Sequence, residues 1–430
     1  IFYGVKAVRF ILSSNSQLKY GARLINSYLG DNSTISCCEV LNSLIFPAHE
    51  QHHNNSFLCA SLIKGQSNMA AGATVGSNHN SRGADGEIIA GRGFWPGLCV
   101  SLKHNSRFSS YSLIVKGDFL HELDIRIPFS LVSNDTANDK LIIVPGYWFL
   151  YNMYALMRNT NKFTSRDSRK FKHQYFEYDI LAPDTVNELF NSLKEIDAAV
   201  GRSIGKESGL EWLNAADDSK LDVYLENTEF SKRKVVLLKP KESFHMFKKL
   251  IRYYAVSQIL DNFSPVDFIK QIKKFTDQKL ERFVFENVGS QLIPVKKLDD
   301  LLNNLKKKQI NSWTEFHKDY HRLSEEYLQD KLKHALASLQ EITGRESSSW
   351  DVDLWKELFD EALLTKEWMY NEIYKTRKKD YENPFRLMVY ESIEEMNEVV
   401  GKLEDNSFIN QQSQELVEFK KIIAQFNSNL

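Results

Sequence analysis

The stretch FLCASL-IKGQSN-MAAGAT-VGSNHN, residues 57–80, sets an apolar side chain at every sixth position: Phe57, Ile63, Met69 and Val75. Four residues after each of the first three stands a small one, Ser61, Ser67 and Ala73. The beat returns at Leu102, Phe108 and Ile114, with Ser106 and Ser112 in the small slots. It runs earlier through Leu12 and Leu18 (with Ser16 and Ala22), then Leu29, Ile35 and Leu41, and Ile89 and Trp95 add a pair followed by Gly93 and Cys99. An amphipathic helix needs spacings of three and four, and a half-buried strand needs alternation. A period of six fits neither.

It does fit a coiled ribbon in which each six-residue unit supplies one short strand and a corner. Three units close one triangular turn, the apolar residue points into the prism, and the small residue fits the corner. Stacked turns bury one another's inner faces, as in other solenoids. The fold class that follows is multidomain β + α: an N-terminal left-handed parallel β-helix of hexapeptide repeats, followed by an α-helical bundle. The β-helix is expected over residues 1–120 and an extended connection with a strand at LIIV over 121–145. The helical region is expected over 146–430. The opening IFYGVKAV begins at Ile1 and reads like the middle of a strand, which implies an N-terminally truncated repeat. Any upstream segment would carry the targeting signal and has room for a further domain.

Two polar segments interrupt the beat, PAHEQHHNNS (47–56) and SNHNSRGADGE (77–87). Both are expected to protrude as loops from the coil edges, where solenoids carry function. Beyond residue 146 helical spacing takes over. Phe244, Phe247, Leu250, Ile251 and Tyr254 make one stripe. Phe316, Tyr320, Leu323, Tyr327, Leu332, Ala335 and Leu339 make another, ending at the C-cap candidate Gly344. A further helix is expected after Ser347–Ser349, and KRKVVLLKP around Val235 reads as a lone strand.

With 55 basic against 56 acidic residues the formal net charge is −1, so nothing drives general binding to nucleic acid or anionic lipid. No run of 18 apolar residues exists to span a membrane. The four cysteines, Cys37, Cys38, Cys59 and Cys99, lack CxxC spacing and read as small, buried, reduced side chains in a cytoplasmic protein. Walker A, Rossmann and GxSxG signatures are absent from the sequence.

The repeat resembles the hexapeptide-repeat superfamily of trimeric acyltransferases. The segment VGSNHNSRGADGEI is similar to a loop in the acetyltransferase domain of bifunctional N-acetylglucosamine-1-phosphate uridyltransferases, which carries a GS, a catalytic histidine and a GDAEIG return. The resemblance implies His79 as general base, oriented by Asp85 or Glu87. The crowding of Asn78, Asn80 and Arg82 into the same excursion suits binding of a sugar or phosphate, and His104, read on a repeat strand about a coil later, would join them. It further implies acetyl-CoA or another acyl-thioester as donor, a nucleotide sugar or similar metabolite as acceptor, and a homotrimer whose clefts hold the site. With SLKHNS, PFSLVSND and its helical tail, the whole chain also resembles an uncharacterised bacterial family of unknown function.

Other residues suggest further roles. His49-Glu50-Gln51-His52-His53 satisfies HExxH, but a zinc peptidase needs that motif on a helix, and here six-residue strands enclose it. Binding of a divalent metal by His49, His52 and His53, with His79 across the loop pair, is the alternative metal reading. The segment RNTNKFTSRDSRKFKHQ concentrates Arg158, Lys162, Arg166, Arg169, Lys170 and Lys172, a density suited to phosphate or the pyrophosphate of coenzyme A. Tyr147, Trp148, Tyr151 and Tyr154 precede it at helical spacing and suit packing where the two halves join. Against these stands a bland alternative: a histidine in an Asn/Ser/Gly loop serves as a turn residue, and a basic run as a solvated face. The chain would then be a non-catalytic scaffold or binding protein.

Overall fold

A computed structural model describes residues 1–77, 81–83, 86–216 and 220–430. The chain forms two compact units. The first comprises Ile1–Gly146, Phe163–Phe247 and Val284–Tyr327, and the second Tyr147–Lys162, Lys248–Phe283 and Leu328–Leu430.

The first unit is built on a left-handed parallel β-helix. One face stacks Lys6–Val8, Arg23–Ile25, Glu39–Leu41, Phe57–Cys59, Thr74–Val75, Val100–Leu102 and Gly117–Phe119. A second stacks Ile11–Leu12, Tyr28–Leu29, Leu44–Ile45, Ser61–Ile63, Ile88–Ala90, Ser106–Phe108 and Asp124–Ile125. The strand register gives the coil length. Lys6 pairs with Arg23, Arg23 with Glu39, Glu39 with Phe57 and Phe57 with Thr74, separations of 17, 16, 18 and 17 residues. Each is close to three six-residue units. Thr74 pairs with Ser101, 27 residues on, so this one coil carries about ten extra residues, and the 77–87 excursion accounts for them.

The same arithmetic corrects the expectation for residues 47–56. Glu39 to Phe57 is an ordinary coil with no insertion, and Glu50–Gln51 is a strand paired with Thr34–Ile35. The segment looks like a loop because polar residues occupy interior positions. His49 and Gln51 are both fully buried inside the prism. They are tolerated because their polar atoms are satisfied. The His49 ring approaches Ser67 Oγ at 2.7 Å through Nδ1 and Gln51 Oε1 at 3.1 Å through Nε2. Gln51 Nε2 donates to Ser56 Oγ at 3.0 Å, and Ser56 Oγ donates to Cys38 Sγ at 2.9 Å. This chain of hydrogen bonds replaces apolar packing over one coil.

Elsewhere the interior is mainly apolar, with a shifted frame wherever two apolar residues adjoin. Val40, Leu58, Ile88 and Phe94 are fully buried, whereas their neighbours Leu41, Phe57, Ile89 and Trp95 are only half-buried. The corners use left-handed backbone at Asn15, Asn26, Asn32, Asn42, Asn55 and Asn105, the residue type that accepts it at least cost after glycine. Gly76, at φ +81°, has a second constraint: a Cβ there would lie 2.1 Å from the Cys59 carbonyl oxygen. Of the cysteines, Cys38 and Cys59 are buried, Cys37 is half-buried and Cys99 is exposed, which corrects the expectation that all four are interior.

The parallel strands continue past residue 120. On the third face Trp95–Pro96, Leu113–Ile114 and Leu131–Asp135 stack in register. The chain then reverses, and Lys140–Val144 runs antiparallel to Leu131–Asp135. Lys234–Leu237 joins parallel to it and Val223–Leu225 antiparallel to that, so the strand around Val235 is not alone. The unit is completed by the helix Pro183–Ser203, the hairpin Phe285–Val288/Gln291–Pro294 and the helix Val295–Lys306.

The second unit is helical. Phe268 stacks edge-on against Trp355 and Phe426 at 5.0 and 5.3 Å between ring centres, and Phe359 reaches Phe426 at 5.3 Å. These rings join the helix Phe268–Thr276 to Val352–Glu382 and Ser407–Ser428. Asp351 caps the long helix by accepting from the Leu354 amide at 2.8 Å. The expected stripes are buried at Phe247, Leu250, Ile251, Tyr254, Leu332, Ala335 and Leu339, and Gly344 ends its helix at φ +65°. Of the aromatic run after 146, Trp148 is buried, Tyr151 is exposed, and Tyr154 meets Phe408 at 5.7 Å within this unit.

Burial holds His49 neutral and lowers its pKa to about 4. The unfolded chain binds a proton near the ordinary histidine value that the folded chain refuses. Its stabilising effect is therefore complete above about pH 6.5 and is lost as pH falls toward 4. Roughly 3 kcal/mol should disappear over that window in chemical denaturation, and His49→Gln should abolish this part of the pH dependence.

Candidate functional site

The strongest concentration of unusual chemistry in the first unit starts from Arg92. Its side chain is only 1% exposed, and nearly every donor is used. Nε and Nη2 form a fork onto Asp184 at 2.7 and 2.9 Å. Nη1 reaches the carbonyls of Glu177 and Asp179, each at 3.1 Å, and Gln66 Oε1 at 3.3 Å. Gln66 in turn donates to the Glu177 carbonyl at 2.6 Å and accepts from Tyr111 Oη at 2.9 Å. The Tyr327 hydroxyl donates to the buried Glu177 carboxylate. A planar guanidinium is suited to this task because its donors diverge in a fixed fork. One prism residue thereby pins the segment 177–184 and the start of the helix that follows.

That helix, Pro183–Ser203, lies along the second prism face and encloses a groove of about 520 Å³. Asp184, Asn187, Glu188, Asn191 and Glu195 line it from one side, at spacings that put them on one helix face. Ile89, Arg107 and Arg126 line it from the prism, and Val284, Phe285 and Asn287 from the hairpin. Lys64 ties the hairpin down through Glu286 at 2.6 Å, and Asn287 Nδ2 donates to the Lys64 carbonyl at 3.2 Å. Arg126 reaches Glu195 at 2.6 Å across the groove. The lining is thus an apolar floor of Ile89, Phe108 and Ile125 edged by Arg107 and Arg126, with a row of amides and carboxyls along one wall.

Glu188, in the middle of this row, has its protonation strongly disturbed. Burial and then the adjacent Asp184 charge raise its pKa to about 8, against the opposing pull of the Ser110 amide and Arg92. Both carboxyl oxygens lie 3.1–3.2 Å from the Ser110 amide, which donates between them. A carboxyl held near neutrality in a groove is suited to accept or deliver a proton at ordinary pH.

No protein-family model matches the chain. An uncharacterised protein of Treponema pallidum (strain Nichols) is 43% identical over 411 residues. The match covers 92% of this chain and 55% of that protein, so the chain spans about half the length of the relative. Among solved structures the chain is similar to the acetyltransferase domain of PglB from Neisseria gonorrhoeae (8% identity, 30% of this chain and 52% of that one, TM-score 0.17). It is also similar to a perosamine N-acetyltransferase variant from Caulobacter crescentus, solved with CoA and GDP-perosamine (16% identity, 30% and 51% of the two chains, TM-score 0.14).

The residues singled out from sequence divide into several places. Asn78, His79, Asn80 and Asp85 lie outside the described residues. Arg82 and Glu87 are exposed. His104 is half-buried on the bend between Val100–Leu102 and Ser106–Phe108, rather than on a strand as its place in the repeat suggested. Ile88 pairs with Ser106, and Gly86 runs so close to Asn105 that a Cβ would stand 1.3 Å from its Oδ1. The end of the 77–87 excursion therefore returns beside the His104 bend.

The metal reading meets a physical obstacle. His49 faces the prism interior with both ring nitrogens engaged, while His52 sits outside, 3.1 Å from Glu50. The His53 ring lies tilted against that of His52, 4.4 Å between ring centres. His49 is fully buried inside the prism while His52 and His53 are exposed outside it, so the three do not converge. Among the described residues no three His, Cys, Asp or Glu side chains are grouped to hold a metal ion. The basic cluster is likewise divided. Arg158 and Lys162 belong to the second unit and Arg166 to the first, and Arg169 is spent on a fork to Asp167 and a stack on Phe176 at 3.3 Å. Among the described residues no helix is long and apolar enough to cross a membrane.

Sequence reading missed the groove entirely. Its one local signal was the spacing of Asp184, Glu188 and Glu195 down a helix, which reads equally as a solvated face. Removing Arg92 or its partner exposes the constraint: Arg92→Ala or Asp184→Ala should lower stability by about 3–5 kcal/mol, read from denaturant midpoints, since each leaves a buried charge unpaired. Glu188 has the opposite sign. Its folded-state pKa is raised, so stability should fall as pH climbs from about 4.5 to 8, and Glu188→Gln should flatten that slope.

Proposed function

We propose that the protein is a transferase acting on a small hydroxyl-rich metabolite, a nucleotide sugar or related compound, held in the groove beside the helix Pro183–Ser203. The observation that carries this is the placement of Glu188, a carboxyl near pKa 8, among Asn187, Asn191 and Glu195 over an apolar floor. Amides and carboxyls offer paired donors and acceptors for vicinal hydroxyls, and the apolar floor suits the C–H face of a ring. Acyl transfer from a thioester is the reaction that the hexapeptide-repeat resemblance suggests. Glu188 would take the proton from the attacking hydroxyl or amine as the new acyl–oxygen or acyl–nitrogen bond forms. The carbon–sulfur bond then breaks, and the departing thiolate is protonated from solvent.

A second reading puts the base on the 77–87 excursion, with His79 oriented by Asp85 or Glu87. The return of that segment beside His104 favours it, since His104 and Glu87 then border one surface. Arg82, Asn78 and Asn80 would hold substrate there. A homotrimer would supply the neighbouring prism that such a site requires.

Calorimetric titration with acetyl-CoA and with nucleotide sugars tests the proposal, followed by assay of acyl transfer by free-thiol release. Glu188→Gln should retain ligand binding and lose at least about a hundredfold in turnover, a typical general-base contribution, while His79→Ala stays near wild type. The reverse pattern selects the excursion. Absence of binding to any of these compounds would remove both readings and leave the prism as a scaffold.

A further inference from the structure

The second unit exposes an apolar surface that its own helices do not cover. Phe385, Met388, Val389, Ile393 and Val399 are each 61–77% exposed, and Val400 44%. They lie within the short helix Pro384–Leu387, the turn after it and the helix Ile393–Val400. Soluble proteins seldom leave so many large apolar side chains together in water without a binding purpose. The segment is nonetheless held in place. Met396 and Leu403 are buried beneath it, Tyr381 Oη donates to the Gly401 carbonyl at 3.1 Å, and Ser392 caps the second helix through the Glu395 amide at 3.2 Å.

Charge decides what can cover it. From Leu387 to Gly401 the chain carries Glu391, Glu394, Glu395 and Glu398 and not one Lys, Arg or His. Arg386, just before, is paired with Asp380 at 2.6 Å. An anionic lipid surface would meet four carboxylates and be repelled. A second copy docked face to face would set the same carboxylates against each other. We propose that residues 384–400 are a docking surface for a protein partner that presents an apolar helix face flanked by Lys and Arg. The partner's aliphatic side chains would seat among Phe385, Met388 and Ile393, with its cations meeting the glutamates, as amphipathic helices are recognised through their apolar face. This inference is independent of the groove in the first unit.

A synthetic amphipathic Leu/Lys helix serves as the probe, measured by fluorescence anisotropy against the full chain. The matched Leu/Glu helix and phosphatidylcholine/phosphatidylserine vesicles run beside it, with sedimentation of the protein alone. Expected is micromolar binding of the Leu/Lys helix that weakens about tenfold with added salt, as screening requires. Phe385→Ser with Met388→Ser and Ile393→Ser should reduce it at least tenfold. Leu364→Ser with Val417→Ser, exposed apolar positions elsewhere in this unit, should leave it unchanged. Equal binding by both variants overturns the proposal, as does preference for the acidic helix, vesicle binding, or self-association that the patch variant abolishes.

Discussion

The first unit depends on one buried cation. Arg92 arrives at the prism surface on a short turn, and its donors gather Asp184, Gln66 and the carbonyls of Glu177 and Asp179 into one network. Burying a guanidinium is costly unless every donor finds a partner, and here the surrounding chain supplies them. The consequence is positional. With residues 177–184 held, the helix Pro183–Ser203 has one place to lie, and its Glu188 row faces the prism across a groove instead of facing water. The proton chemistry of Glu188 is thus a by-product of the way Arg92 is satisfied, since the burial and the Asp184 charge that raise its pKa both come from that network.

The prism shows a related economy. Most coils bury aliphatic residues, but the coil through His49 substitutes a hydrogen-bonded ladder from Ser67 to Cys38. Such a ladder tolerates no missing member, because each atom would otherwise be buried without a partner. The HEQHH run imitates a metal or catalytic motif in sequence, yet His49 alone enters the ladder, while His52 and His53 stay exposed. Which side of the ribbon a residue occupies is hard to read where two polar or two apolar residues stand together.

That loss explains where sequence reading succeeded and where it stopped. The six-residue period identified the β-helix because every coil repeats the same demand, a buried residue followed by a small corner. The frame was ambiguous at Leu41, Phe57, Ile89 and Trp95, since an adjacent apolar residue could take the inner position equally well. The 47–56 segment was misread as a loop because its interior residues are polar, and only the 18-residue register between Glu39 and Phe57 shows an ordinary coil. The 77–87 excursion was read correctly as an insertion, as the 27-residue separation of Thr74 and Ser101 requires. In the mixed sheet after residue 131 the strands at LIIV and around Val235 were legible one by one, but their pairing was not, because Lys140–Val144 meets Lys234–Leu237 some ninety residues on.

By itself, the sequence determined the architecture of this protein: a parallel prism of six-residue repeats followed by helices, with one long excursion at 77–87. Those properties are periodic and local, so each coil or helix turn restates them. Only the tertiary structure decided the rest: that His49 points inward, that Arg92 meets Asp184 ninety-two residues on, and that Glu188 becomes a carboxyl poised near neutrality. Burial and pairing depend on what arrives from elsewhere in the chain, and no local pattern records it.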